Sequence, residues 1–111
     1  MIVTVFRSRL NPNHLDDYQT RAQRMSELAR QMPGYISHKG FVAEDGERVT
    51  IVEFESEETQ RAWATHPEHV QAMRDGRTQF YTEYRLQICQ LLRDSAVRPA
   101  RRQTQPAQTA P

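Results

Sequence analysis

Along residues 2–10 of this 111-residue chain, Ile2, Phe6 and Leu10 fall on one side of an extended backbone, and Val3 and Val5 fall on the other. The same double-sidedness returns at residues 48–55, where Val49 and Ile51 oppose Val52 and Phe54. It returns again at 83–92, where Leu86 and Ile88 oppose Cys89 and Leu91. Successive side chains of a strand point to opposite faces, so a sheet with one wet face alternates apolar and polar residues. These strands ask for cover on both faces. That requirement limits the possible folds more than any other feature of the chain.

The intervening sequence can supply one layer of cover. Leu15, Tyr18, Ala22, Met25, Ala29 and Met32 recur every three or four residues, one apolar stripe on a helix of about five turns. Asn13 is the expected cap after Asn11-Pro12, and Met32-Pro33-Gly34 ends the helix. Residues 35–43 read as a second strand, and Asp45-Gly46 as a hairpin turn into the third. Ser56 caps a further helix with Ala62 and Trp63 as its apolar positions, and Pro67 restarts helix after His66. Val70 and Met73 are expected to face inward on that last piece, with helix able to resume after Gly76 as far as Phe80. The order β-α-β-β-α-β is the ferredoxin-like split pattern, an antiparallel sheet with helices on one face. Its other face then needs a second copy of the chain, and a twofold homodimer is the simplest source.

Charge narrows the partners. The last 17 residues hold three of the 15 basic residues and none of the 14 acidic ones, so the body carries a net of −2. A mildly acidic body has no electrostatic footprint for nucleic acid. No apolar run is long enough to span a bilayer, and no membrane partner is expected. The start of the chain lacks the pattern of a signal peptide, and the lone Cys89 cannot form an internal disulfide, so a cytoplasmic protein is expected. Cys89 itself is expected to be buried and inert. Residues 1–94 read as one domain. Residues 95–111, rich in Pro, Ala, Gln and Arg, read as a disordered tail.

Several pieces in this order resemble the antibiotic biosynthesis monooxygenase (ABM) domain family over about residues 1–92. They are the opening MIVTVFR strand, Met32-Pro33-Gly34-Tyr35, the hairpin Glu44-Asp45-Gly46-Glu47-Arg48, and Glu53-Phe54-Glu55-Ser56 leading to Trp63. His66-Pro67-Glu68-His69 and Tyr81–Arg85 complete the set. The resemblance implies a dimeric α+β barrel with a pocket between sheet and helices in each subunit. Members include oxygenases that use no cofactor and act on polycyclic aromatics. Others degrade haem, isomerise small molecules or have no known reaction. It therefore implies an O₂-dependent oxidation of an electron-rich anthrone- or quinol-like molecule, with no cofactor. The alternatives are a non-catalytic dimer that binds a small apolar ligand or serves a stress response, and a haem-binding protein.

The resemblance places Trp63 in the pocket lining, beside the structural reading of a core anchor. An enolised aromatic anion needs a proton acceptor to form it and donors or a cation to hold it. His69 and Tyr81 are the catalytic candidates, acceptor and donor respectively. Arg7, His38 and Arg85 join Trp63 as substrate-binding candidates, His38 being a second possible acceptor. Each has a structural alternative, such as an ion pair of Arg85 with Glu53 or Glu83. His66 and His69 have H-x-x-H spacing, but Pro67 disrupts the geometry at His66 and no third ligand is evident, so no metal site is expected. Haem-degrading members carry an asparagine on the first strand and a histidine two to three turns after the tryptophan. Here Arg7 stands in the first place and Ala72 or Met73 in the second, which disfavours haem degradation.

Overall fold

The computed structural model describes residues 1–99. Four strands, β1 (Ile2–Leu10), β2 (Tyr35–Val42), β3 (Arg48–Phe54) and β4 (Tyr81–Gln90), form one antiparallel sheet in the order β2-β3-β1-β4. Helices α1 (Leu15–Arg30), α2 (Glu57–Ala64) and α3 (Pro67–Asp75) complete the ferredoxin-like α+β fold. The tail expected at 95–111 lies partly outside the described residues. Its described part, like residues 91–94, has no regular structure.

Local chemistry explains most boundaries. Asp16 and Asp17 open α1 and Arg30 closes it, matching the helix dipole. Ser56 and Thr59 form a reciprocal capping box on α2, with Thr59 N–H donating to Ser56 Oγ at 3.2 Å and Ser56 N–H to Thr59 Oγ1 at 3.1 Å. His66 is extended, as a residue before proline should be, and its Nδ1 accepts from Glu68 N–H at 3.1 Å, capping α3. Gly46 turns the β2–β3 hairpin at φ 91°.

Four sequence expectations need correction. The cap before α1 is Asn11, not Asn13: Pro12 starts a 3₁₀ turn a step earlier, and Asn11 Oδ1 accepts from Asn13 N–H at 3.0 Å. Strand β4 spans Tyr81–Gln90 rather than 83–92, because its partner β1 begins at Ile2, which pairs with Gln90. On the second and third helices, Gln60 and Ala72 are buried while Ala62 and Val70 are exposed. The inward positions of α3 are His69, Ala72 and Met73, none of them fully exposed. Cys89 is exposed, since it stands on an edge strand opposite Val3, on the face away from the helices.

Cross-strand partners share a face, so the register sorts every strand residue. Phe54 packs with Ala29 and Trp63, and Met25, Leu28, Met32, Tyr35 and Val52 surround that core. Ile2, Thr4, Phe6 and Ser8 pair with Phe54, Val52, Thr50 and Arg48 and therefore face the helices. Val3, Val5, Val49 and Ile51, with Phe41 and Cys89, form the apolar part of the opposite, open face. The strands are thus apolar on both faces in the fold as well as in the sequence.

Candidate functional site

Trp63 and His69 meet on the helix side. Their ring centroids are 4.4 Å apart at an interplanar angle of 35°. Helix α2 ends one residue past Trp63, and the Pro67 restart brings α3 back so that its first turn lies over the indole. Trp63 is only 8% exposed, which makes the indole a core anchor with His69 against it. His69 Nδ1 lies 3.3 Å from the Ala64 carbonyl oxygen. A carbonyl only accepts, so Nδ1 carries the proton and Nε2 keeps its lone pair. Burial holds the imidazole pKa below its usual value; the Ala64 bond opposes this and His66 adds to it. At neutral pH His69 is a neutral ring with a basic nitrogen.

Tyr81 belongs to an aromatic cluster farther along the same side. Its ring meets Phe6 edge-on at 5.2 Å, Tyr18 at 5.9 Å and Tyr84 at 6.0 Å. Tyr18 also meets Phe80 at 6.1 Å, and the Arg48 guanidinium sits over the Tyr18 ring at 5.8 Å. Burial pushes the Tyr81 hydroxyl pKa well up, and Tyr18 adds to this against the charge of Arg48. Tyr81 therefore stays protonated and can donate a hydrogen bond but not accept a substrate proton. A π-helical turn, Gly76–Phe80, leads into Tyr81. Only glycine fits there, because a Cβ on Gly76 would stand 2.6 Å from the Tyr81 ring.

His38 also faces the helices, but both its nitrogens are engaged. Nδ1 lies 2.7 Å from Tyr35 Oη and Nε2 lies 3.0 Å from Ser26 Oγ, which ties β2 to α1. Burial, with Arg30 second, lowers its pKa.

Arg7 and Arg85 pair with each other across β1 and β4 on the open face of the sheet. Both Arg7 Nε and Nη2 bind Glu47, each at 2.9 Å, a two-pronged pair. Those hydrogen bonds hold the Glu47 carboxyl below its usual pKa. Arg9 takes Asp45 at 2.8 Å and Glu83 at 3.6 Å, and among the described residues Arg85 has no carboxylate partner. The structure therefore brings Trp63 and His69 together, sets Tyr81 and His38 on the same side, and places Arg7 and Arg85 across the sheet. One anion cannot contact both groups. The strand cation on the helix side is Arg48, read in the sequence as an ordinary first residue of a strand; Arg21 of α1 also sits over the Phe80 ring at 5.8 Å, paired with Asp75. Phe6, Tyr18 and Tyr84 were read as strand or core residues, and parity alone gave no sign of their meeting.

Two recesses stand out. One of about 450 Å³ lies between α1 and α3 over Arg21, Asp75 and Phe80, and one of about 330 Å³ lies at Arg7, Glu47 and Arg85. Neither is lined by Trp63 or His69. No group of three or more His, Cys, Asp or Glu side chains is placed to hold a metal ion among the described residues. No helix is long and apolar enough to cross a membrane among them either.

A small antiparallel α+β domain with an imidazole and a tyrosine on its helix side defines a class of compact one-layer-covered sheets. Comparison gives the family. Residues 1–75 match the profile of the antibiotic biosynthesis monooxygenases, and the chain belongs to that family. A curated relative, the uncharacterized protein YqjZ of Bacillus subtilis (strain 168), is 29% identical over 74 residues, covering 67% of this chain. The match spans 65% of that relative's own length. Among solved structures, Rv0793 from Mycobacterium tuberculosis superposes with a TM-score of 0.75 at 14% identity, covering 86% of this chain and 98% of that one. SnoaB, a cofactor-independent oxygenase from Streptomyces nogalater, gives 0.70 at 14% identity, covering 84% and 94%. At such identities these likenesses speak for the fold.

Proposed function

We propose that this protein oxidises an electron-rich aromatic molecule of the anthrone or quinol kind with O₂ and without a cofactor. The observation that carries the reading is His69, stacked on Trp63 with Nδ1 committed to the Ala64 carbonyl and Nε2 left basic. In this reading Nε2 takes a proton from the substrate, from the activated CH₂ of an anthrone or the hydroxyl of a quinol. Tyr81 donates a hydrogen bond to the resulting enolate oxygen, with the positive charge of Arg48 behind it. The carbanion adds O₂, the peroxide anion recovers the proton from His69, and loss of water leaves a carbonyl. For an anthrone the balance is R₂CH₂ + O₂ → R₂C=O + H₂O. The family membership and the fold shared with SnoaB support the reaction class.

The active form in this proposal is a homodimer in the cytoplasm, whose second copy covers Val3, Val5, Val49 and Ile51 on the open face. Arg7 and Arg85 then lie at the subunit junction. The test is oxygen uptake with anthrone and with a quinol. Uptake no faster than that of heat-denatured protein would end the proposal for these substrates. The depth of Trp63 in the core favours a second reading, binding of a small apolar ligand without turnover. Quenching of the single tryptophan by anthrone, with no oxygen consumed, is the result that selects it.

A further inference from the structure

We propose that residues 91–99 form an arm that docks on a second copy of the chain, against the helix-facing side of its β4, and walls the open flank of the site there. The inference rests on the dimeric oxygenase reading and adds the element that completes the site.

The receiving surface is read from the register. Tyr84, Leu86 and Ile88 pair with Ser8, Phe6 and Thr4, so they face the helix side. They are nevertheless 37%, 46% and 51% exposed. The helix layer stops short of them: the core under α1 gathers Tyr35, Val52 and Phe54 from β2 and β3, whereas β4 is the far edge of the sheet. An apolar row beside Phe6 and Tyr81 is thus left without a roof.

The arm carries the complementary surface. Leu92 is 81% and Val97 100% exposed, although both are large aliphatic residues. The arm cannot cover the β4 of its own copy. It departs where β4 ends, its last sheet bond being Leu91 N–H to the Met1 carbonyl at 3.0 Å, and residues 91–99 contain no turn that would fold it back. A second copy is within reach, because nine extended residues span about 30 Å and packed sheets lie about 10 Å apart. About 20 Å then remains to run along a strand, against about 13 Å from Tyr84 to Ile88.

Twofold symmetry makes the exchange mutual, so each copy gives an arm and receives one.

The experiment uses the full chain in three variants: Leu92→Glu with Val97→Glu on the arm, Ile88→Thr on the row, and all three together. Sedimentation velocity over a concentration series reads the dimer dissociation constant, with circular dichroism to verify the fold. Leu92 and Val97 are largely exposed in a single copy, so the arm variant keeps its fold. It is expected to weaken the dimer at least about tenfold, as loss of an interface anchor does. Ile88→Thr weakens it too, and the combined effect is smaller than the sum, the mark of residues in contact. A monomeric wild type, an arm variant that associates normally, or strictly additive effects would each overturn the arm. Oxygen uptake by the wild type is scored separately. Absent uptake with the coupling present ends the oxygenase reading alone, and normal uptake with unaltered association of the arm variant ends the arm alone.

Discussion

His69 and His38 show how one residue type sits in two different environments. Each is half-buried and each has a lowered pKa, but His38 is bonded through both nitrogens and His69 through one. If His69 is the proton acceptor, His69→Gln loses about 100-fold or more in oxygen uptake. The wild-type rate should rise with pH through a value below 6.5 and then level off, while the variant shows no such rise. A variant with the wild-type profile would remove His69 from the reaction. For His38 the readout is stability. Its folded pKa lies below 6.5, so as pH falls past 6.5 the unfolded chain takes the proton first. Its contribution is whole above 6.5 and is lost as pH drops toward the folded value. Urea unfolding of wild type should therefore weaken between pH 7.5 and 5.5 by more than that of His38→Gln. Equal losses would show that the Tyr35–His38–Ser26 link carries no such term.

At the scale of the element, two irregularities in the strands do what alternation cannot. Tyr35 and His38 are three apart, as are Tyr81 and Tyr84, and in a regular strand each pair would split between faces. In β2 the register skips at Ile36, and in β4 it skips at Thr82, so both pairs land on the helix side. A bulge of this kind re-aims a side chain without ending the strand. The hydrogen bond of Tyr35 to His38 and the Tyr81–Tyr84 contact both depend on it. Helix α2 owes its start to the capping box, and Gly34, at φ 80°, lies directly under Thr59. Ser56→Ala should cost about 1 kcal/mol in urea denaturation. A cost near zero would mean that the packing of Trp63 alone holds the helix in place.

For the molecule as a whole, the question is what the open face meets. Val3, Val5, Val49 and Ile51 are only half-buried in one copy, shielded by one another. Burying apolar surface contributes about 25 cal/mol per Å², so a face of this kind favours association. Ile51→Glu places a charge at its centre, and sedimentation should then find monomers at micromolar concentration. A dimer as tight as wild type would show that this face is not the interface.

The sequence by itself determined the element order, the hairpin at Asp45-Gly46, the Ser56 cap, the break at Pro67 and the apolar character of both sheet faces. These follow from local backbone preference and from period, which neighbouring residues dictate. It also singled out Trp63 and His69, which the fold brings into contact. Only the tertiary structure decided that Arg7 and Arg85 stand across the sheet from them and that Arg48 is the strand cation that reaches the helix side. It likewise placed Phe6, Tyr18, Tyr81 and Tyr84 in one cluster. The face a strand residue occupies depends on pairing register, and a single bulged residue reverses it for everything beyond. Register is set by partners distant in sequence, which no local pattern records.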